Sequence, residues 1–389
     1  MNRPGYVLIN VVETLIRMLP LRTRTGVIRI GDPGRDSPVI VTGNYHLTVK
    51  RVRKALEGVD AYLLVANSRG VNVWCAATGG MFTHHDVISV LKTSGIEKMV
   101  DHREVILPQL AATGIERKII RRKTGWKPVW GPVEARDIPP FLKARTGLTG
   151  PMGQVTFPPL RRLEMAVAWA FPISAVLTVF LALFWSGGIL PTLGITWGLS
   201  LFIFLSFPLY RRWLNPRTPR VGFVVFDFGR GGIQLILWVV VLAGLGVGSL
   251  VLGDFSWGFM ARWGFISLVV IGLLSMDVMG STPVFKSGLH RDRWLEVVLD
   301  EEKCRGAGFC EQVCPRNCYE VDHVRHKATR PRADLCVQCG ACIVQCPFDA
   351  LYFETPDGEI IPPATVRQFK LNLLGNRTVR VGGEGIHAG

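Results

Sequence analysis

The sequence predicts a multidomain chain: an α/β unit built on a mainly parallel sheet, a region of four membrane-spanning helices, and a small cysteine-rich α+β domain. Three observations predict it. Strand-like and helix-like segments alternate from Asp36 to Leu142, four apolar stretches follow, and eight of the nine cysteines lie between Cys304 and Cys346. At 389 residues the chain has room for these parts, and its mean hydropathy of +0.28 is high for a purely soluble protein. The expected boundaries are residues 1–160, 161–283 and 284–389.

In the first part, Pro38 to Thr42 is a short β-branched run, Leu47 to Leu56 is helical with basic outer positions, and Ala61 to Ala66 is a buried-strand candidate. Phe82 to Ser94 reads as a helix, with His84 and His85 exposed in its first turn and Asp86 complementing its dipole. Glu104 to Pro108 and Lys127 to Val133 read as further strands. Strands alternating with helices imply a mainly parallel sheet covered on both faces, a Rossmann-like α/β unit. The N-terminus does not read as a signal peptide, since Glu13 and Arg17 interrupt its apolar run and no small-residue cleavage site follows.

Met165 to Trp185, Ile189 to Tyr210, Ile233 to Leu252 and Trp263 to Met279 approach or meet the roughly 20 residues needed to cross a ~30 Å hydrocarbon layer. The last is the shortest and carries Asp277, near the cytoplasmic end, where it can reach water. Arg161 and Arg162 precede the first span, Arg211, Arg212, Arg217 and Arg220 follow the second, and Lys286, Arg291 and Arg293 follow the fourth. The opposite loops hold no charge in Ser186-Gly187-Gly188 and only Asp254 and Arg262 in the other. The positive-inside rule then puts both soluble ends in the cytoplasm, in a multi-pass protein of the cytoplasmic membrane. The net charge of +15 follows from those loops and from attraction to anionic lipid headgroups. No aromatic-basic binding motif accompanies the scattered cations, so a nucleic-acid partner is not expected.

Cytoplasmic thiols stay reduced, so the clustered cysteines read as metal ligands rather than disulfides. Cys336-x2-Cys339-x2-Cys342-x3-Cys346-Pro347 has the spacing that wraps three thiolates around one iron–sulfur cube and sends the fourth to a neighbouring cluster. By the same rule Cys314 joins Cys336, Cys339 and Cys342 around a 4Fe–4S cluster. Cys304, Cys310 and Cys346 hold the other. Ala307 occupies the place of a fourth thiolate, so this second cluster is 3Fe–4S, or 4Fe–4S with a non-cysteine ligand. Cys318 is left as a spare thiol. The pattern resembles bacterial-type dicluster ferredoxins, and the Cys314-Pro315-x-x-Cys318 segment resembles that of seven-iron ferredoxins, whose last thiol is free. Structural zinc is the competing reading of such pairs, and interleaved spacings ending twice in Cys-Pro disfavour it.

Cys75 stands apart, in Asn72-Val73-Trp74-Cys75-Ala76-Ala77, followed by Thr78 and Gly79-Gly80 and placed after the strand 61–66, where open α/β folds bind ligands. A lone cysteine commonly packs as a small hydrophobe. Here Trp74 supplies a flat apolar surface, Ala76 and Ala77 keep one face free of bulk, and the glycine pair permits close backbone approach, which suits a wide planar cofactor.

Together with Thr42-Gly43-Asn44, Leu107-Pro108-Gln109-Leu110 and Gly131-Pro132-Val133, this segment resembles the corrinoid-binding domain of the mercury-methylation corrinoid protein family, related to the corrinoid iron–sulfur protein of acetyl-CoA synthesis. The likeness continues to Gly280-Ser281-Thr282-Pro283, and the cysteine-rich domain resembles the family's ferredoxin partner, here fused. The resemblance implies a corrinoid (cobalamin) held by residues Asn72 to Gly80 on a cap helix, with Cys75 as the catalytic residue and lower axial ligand of cobalt. It also implies methyl transfer to Hg(II), a methyltransferase partner as methyl donor, and a cytoplasmic low-potential electron donor whose electrons the ferredoxin relays to restore Co(I). No Asp-x-His-x-x-Gly segment supports the histidine-ligated corrinoid mode.

Two departures bear on the acceptor. Thr78-Gly79 replaces the family's Gly-Lys, removing a cation and so raising the expected thiolate pKa, although a coordinating metal deprotonates a thiol outright. The tail from Arg380 to Gly389 lacks the family's adjacent cysteine pair. Another soft metal or metalloid acceptor is therefore equally physical. The alternative function is a membrane-bound iron–sulfur electron-transfer protein whose N-terminal domain has lost corrinoid chemistry. A transporter reading finds no internal repeat among the spans.

Overall fold

The structure, a computed structural model, describes residues 3–144, 148, 150–210, 233–278, 295–355, 358–368, 370–371, 377–381 and 384–387. Contacts group the chain into two compact units, Met1–Met18 with Thr156–Leu289 and Leu19–Val155 with His290–Gly389.

Helix α1 (Arg3–Leu15) opens the chain. The α/β part follows as β1 (Gly26–Ile30), β2 (Val39–Gly43), α2 (His46–Ala55), β3 (Ala61–Ala66), α3 (Val73–Thr78), α4 (His84–Thr93), β4 (Glu104–Pro108), α5 (Arg117–Thr124), β5 (Lys127–Gly131) and α6 (Ile138–Ala144). The sheet order is β1-β3-β2-β4-β5, with β2 to β5 parallel and β1 antiparallel at the edge. β3 and β4 have the bounds that their apolar runs predict. β1 was not expected, because Arg29 breaks its apolar pattern. An edge strand tolerates that, since Arg29 points to solvent.

Side chains alternate between two cores, as strand geometry requires. Tyr62, Leu64 and Ala66 pack on the face shared with α3, α4 and α5, whereas Ala61, Leu63 and Val65 pack on the face covered by α2 and α6. Strand order reverses at β2, so the carboxyl ends of β2 and β4 flank the crevice where such sheets take ligands.

The first turn of α4 differs from expectation. Thr83 and Asp86 form a capping box and the helix starts at His84, which places His84 in register with Val87 and Leu91 on the buried face. His84 is 9% exposed, with Nδ1 3.7 Å from Glu116 Oε1; only His85 faces solvent.

In the other unit, α7 (Pro159–Phe184), α8 (Ile189–Leu205), the short α9 (Phe207–Tyr210), α10 (Ile233–Val251) and α11 (Trp257–Val278) join α1. Four of these helices are long and apolar enough to cross a membrane. α7 and α8 pack closely through small residues, with Ser200 Oγ donating to Ala166 O at 2.8 Å. α11 starts at Trp257 rather than Trp263 and so includes Arg262, whose guanidinium lies 4.7 Å from the Trp185 ring centre. α1 packs on α7, with Arg17 Nη1 3.9 Å from Glu164, while its other face exposes Val7, Leu8, Val11 and Val12. The boundary expected at residue 160 assigned this helix to the α/β part; its docking depends on the apolar face of α7, which lies far away in sequence. The arginine-rich loops after α9 and α11, Gly280 to Pro283 and the Asp277 side chain lie outside the described residues.

The cysteine-rich part contains β6 (Glu296–Leu299), α12 (Phe309–Val313), β7 (Glu320–Asp322), β8 (Lys327–Thr329), α13 (Ala341–Gln345), β9 (Leu351–Glu354), β10 (Ile360–Ile361) and α14 (Pro363–Gln368). β6 pairs antiparallel with β9, Val297 opposite Phe353, and so closes the domain on its own ends. Short strands β11 (Lys370–Leu371), β12 (Arg377–Val381) and β13 (Glu384–His387) form an antiparallel sheet in what the sequence presents as a basic tail.

Candidate functional site

The four segments that carry the resemblance come together at the carboxyl edge of the parallel sheet. Thr42-Gly43-Asn44 ends β2, the loop from Asn67 leads from β3 into α3, Leu107-Pro108-Gln109 ends β4, and Gly131 ends β5. Asn44, 4% exposed, organises the edge: its Oδ1 accepts from Ser68 N and Gly70 N, both at 2.9 Å, and from Ser68 Oγ at 3.2 Å. Gly43 is needed beside it, since a Cβ there would stand 2.6 Å from Ser68 Oγ. Asn44→Ala leaves two buried backbone N–H groups unpaired and is expected to cost about 3 kcal/mol. A thermal unfolding midpoint within about a degree of the parent's would refute this.

Cys75 sits in α3 and is half-buried. Asn72 caps the helix, its Oδ1 accepting from Cys75 N at 3.0 Å and its amide donating to Cys75 Sγ at 3.3 Å. One residue thus fixes both the helix start and the sulfur. Val73, Trp74, Ala76 and Ala77 are buried. The Thr78 hydroxyl donates back to Trp74 O at 2.9 Å and Cys75 O at 3.2 Å, Gly79 caps the C-terminus, and Gly80 has φ 72°. Removing the cap by Asn72→Ala is expected to destabilise the fold by about 1 kcal/mol and to shift any absorption band of a metal held by Cys75, since a hydrogen bond to the sulfur is lost. An unchanged spectrum after loading would count against that role.

Sequence reasoning missed the connector beneath this helix. After β4 a tight helical turn, Gln109–Thr113, packs against α3 on one side and against α12 and α13 on the other. Gln109 Nε2 donates to Gln312 O at 2.8 Å, and Gln345 Nε2 donates to Ala112 O at 2.8 Å and Ile115 O at 2.6 Å. Ala76, Ala77, Ala111, Ala112, Val313 and Ala341 share one buried cluster, with Cys339 packed on its margin. Only the place of Gln109 within the resemblance segment Leu107–Leu110 could have flagged it. At Gly114 a Cβ would meet Phe82 O at 2.4 Å and Ala77 O at 2.8 Å. Gly114→Ala must therefore push α3 off the turn, at a cost of about 3 kcal/mol, measurable by denaturant unfolding.

The eight remaining cysteines are all reduced thiols and divide between two cavities. Cys304, Cys310 and Cys346, with Gly306, Ala307 and Gly308, line one; Cys314, Cys318, Cys336, Cys339 and Cys342 line the other. α12 and α13 each follow a glycine in the left-handed region, Gly308 at φ 77° and Gly340 at φ 76°, which aims Cys310 and Cys342 into the two cavities. Backbone N–H groups of Ala328, Cys318 and Gln338 approach the sulfurs of Cys304, Cys314 and Cys336 at 3.3–3.4 Å, and Tyr319 Oη donates to Cys342 Sγ at 3.2 Å.

The donor set fits cluster iron. Burial pushes the Cys310 thiol up to about 12, and burial beside other thiolates holds Cys342 well above its ordinary value. Only the charge of bound iron would make these groups thiolates. Hydrogen bonding sorts the extra sulfur: Cys318, donating to Cys314 and Cys336, is held protonated, while Cys314 is lowered by that same donation.

Comparison with known proteins is consistent with both parts. Residues 14–142 match the family model for the CO dehydrogenase/acetyl-CoA synthase delta subunit, and residues 296–355 match the 4Fe-4S dicluster domain. The chain is similar to the acetyl-CoA decarbonylase/synthase complex subunit gamma of Archaeoglobus fulgidus, 36% identical over 126 residues, which is 32% of this chain and 26% of that protein. The subunit gamma of Methanopyrus kandleri is 36% identical over 126 residues, 32% of this chain and 27% of the relative. The corrinoid/iron-sulfur protein large subunit of Moorella thermoacetica is 30% identical over 128 residues, 32% and 28% respectively. The chain thus spans about a quarter of the length of these relatives. The two family models thus cover the α/β part and the cysteine-rich part of the chain separately.

Proposed function

We propose that this chain is a membrane-anchored corrinoid methyltransferase that passes a methyl group to a soft metal or metalloid, Hg(II) being the acceptor implied by resemblance, and that its fused ferredoxin part delivers the electrons that keep the cofactor active. The observation that carries the reading is the convergence of Thr42–Asn44, the Cys75 helix, Leu107–Gln109 and Gly131 at the carboxyl edge of one parallel sheet, on a turn shared with the cysteine-rich domain. When bound, the corrinoid supplies a cobalt that carries the methyl group from donor to acceptor.

The protein's own residues have separable tasks. Cys75 Sγ, held by the Asn72 amide, would ligate the cobalt of a bound corrinoid; Asn44 fixes the loop before the helix; Ala76 and Ala77 let α3 lie tightly on the Gln109–Thr113 turn. Cys314, Cys336, Cys339 and Cys342 would hold one 4Fe–4S cluster, and Cys304, Cys310 and Cys346 a second cluster of three or four irons. The four apolar helices anchor the protein in lipid, with both soluble parts in the cytoplasm, where a methyl-donor methyltransferase and a low-potential electron donor reach them. Lipid contact accounts for the exposure of Val176, Val179, Phe180 and Leu183 on α7.

The reading is tested by anaerobic loading of the full chain with methylcobalamin, followed by assay against soft acceptors including Hg(II). Methylated Hg(II), or another methylated acceptor from the panel, is the expected product. Failure to take up any corrin, with iron–sulfur absorbance intact, would leave an electron-transfer protein instead.

A further inference from the structure

The two cluster cavities have different surroundings. The one lined by Cys314, Cys336, Cys339 and Cys342 turns toward the α/β core, where Ala341 is buried and Cys339 packs on the margin of the cluster that includes Ala76 and Ala77. The one lined by Cys304, Cys310 and Cys346 is bordered by Phe309, Pro347 and Phe348, and Phe348 is 46% exposed.

The first turn of α5 meets this second rim. The Arg117 guanidinium lies 3.9 Å from the Phe309 ring centre, and Lys118 Nζ donates to Pro347 O at 3.0 Å. From there Lys118, Arg121, Arg122 and Lys123 continue as an exposed cationic surface on a helix whose N-cap, Glu116, is the one acid at its start and lies 3.7 Å from His84 Nδ1. A helix dipole accounts for cations in the last turn but opposes those in the first. Arg117 and Lys118 are therefore not explained by helix electrostatics; their contacts tie the basic surface to the cavity rim.

We propose that an acidic, low-potential electron-carrier protein docks on the α5 surface beside Phe348 and reduces the cluster held by Cys304, Cys310 and Cys346. Each encounter moves one electron: the carrier is oxidised, the cluster is reduced, and no bond or proton is exchanged. The electron then passes to the cluster held by Cys314, Cys336, Cys339 and Cys342, on the side toward Cys75. The inference rests on the ferredoxin part of the proposed function and not on corrinoid binding. Complementary charge of this kind acts chiefly on the encounter rate and fades with salt.

The test uses the full, cluster-loaded chain under anaerobic conditions, with a reduced acidic bacterial two-cluster ferredoxin as probe. Stopped-flow absorbance follows cluster reduction in the parent, in Arg121→Glu/Arg122→Glu, and in the milder Arg121→Gln/Arg122→Gln. The charge-reversed variant is expected to be reduced about tenfold more slowly at low salt, the neutral one by an intermediate factor, with the difference closing at high salt. Reduction by the small methyl viologen radical cation should not slow. Binding of oxidised ferredoxin, measured by biolayer interferometry, should weaken in parallel. Equal ferredoxin rates in parent and variants overturn the proposal. So does a variant that keeps its ferredoxin rate but loses binding to phosphatidylglycerol vesicles, which would make α5 a lipid contact. Corrin uptake enters none of these readouts, so a failed methyltransferase reading and a failed docking surface are distinguished.

Discussion

Cys75→Ala is expected to abolish corrinoid-dependent methyl transfer while leaving the fold intact. Cys75 is half-buried at the outer edge of α3, and the packing of that helix rests on Val73, Trp74, Ala76 and Ala77, so removing one sulfur creates little cavity. The chemical loss is larger. Substitutions of groups that merely orient a metal ligand commonly cost about 10–100-fold in affinity or activity, and loss of the ligand itself should exceed the upper end of that range. Anaerobic visible spectra of corrin-loaded protein should show altered corrin bands in the variant, with iron–sulfur absorbance and unfolding midpoint retained. Methyl transfer at the parental rate would remove Cys75 from the proposed mechanism.

Ala307→Cys is expected to convert the first cluster. Ala307 lines the cavity of Cys304, Cys310 and Cys346 between Gly306 and Gly308, at φ 63° and 77°. A side chain there completes the four-thiolate set that a cube requires. The parent, oxidised anaerobically, should show the electron paramagnetic resonance of a 3Fe–4S cluster, and the variant should lose it while gaining about one iron per chain. If the parent already carries two oxidised cubes and is silent, the three-iron assignment is wrong and a non-cysteine group must supply the fourth ligand.

Much of this architecture was legible because local chemistry fixed it. β3 and β4 are short continuous apolar runs, which in an α/β pattern signal strands buried on both faces. The sharing of Cys314 and Cys346 between motifs is an expectation from spacing; Cys346 lines the cavity of Cys304 and Cys310, and Cys314 lines that of Cys336, Cys339 and Cys342, which Cys318 lines as well. The position of α4 was less legible. Phe82 belongs to the apolar pattern, yet the Thr83–Asp86 capping box sets the start at His84, and that shift turns His84 inward. The start of α11 was obscured in a similar way, since Arg262 reads as a loop charge until Trp185 lies beside it.

The sequence alone determined which chemistry each segment can perform, because cysteine spacing, apolar length and strand-helix alternation are properties of neighbours along the chain. Tertiary structure decided which of those segments meet. The bonds of Gln109 and Gln345, the latch from Asn44 to Ser68 and Gly70, and the seat of α1 on α7 join residues distant in sequence. No local pattern encodes such pairings; they arise because buried polar groups must find partners and apolar faces must be covered, wherever the folded chain brings them.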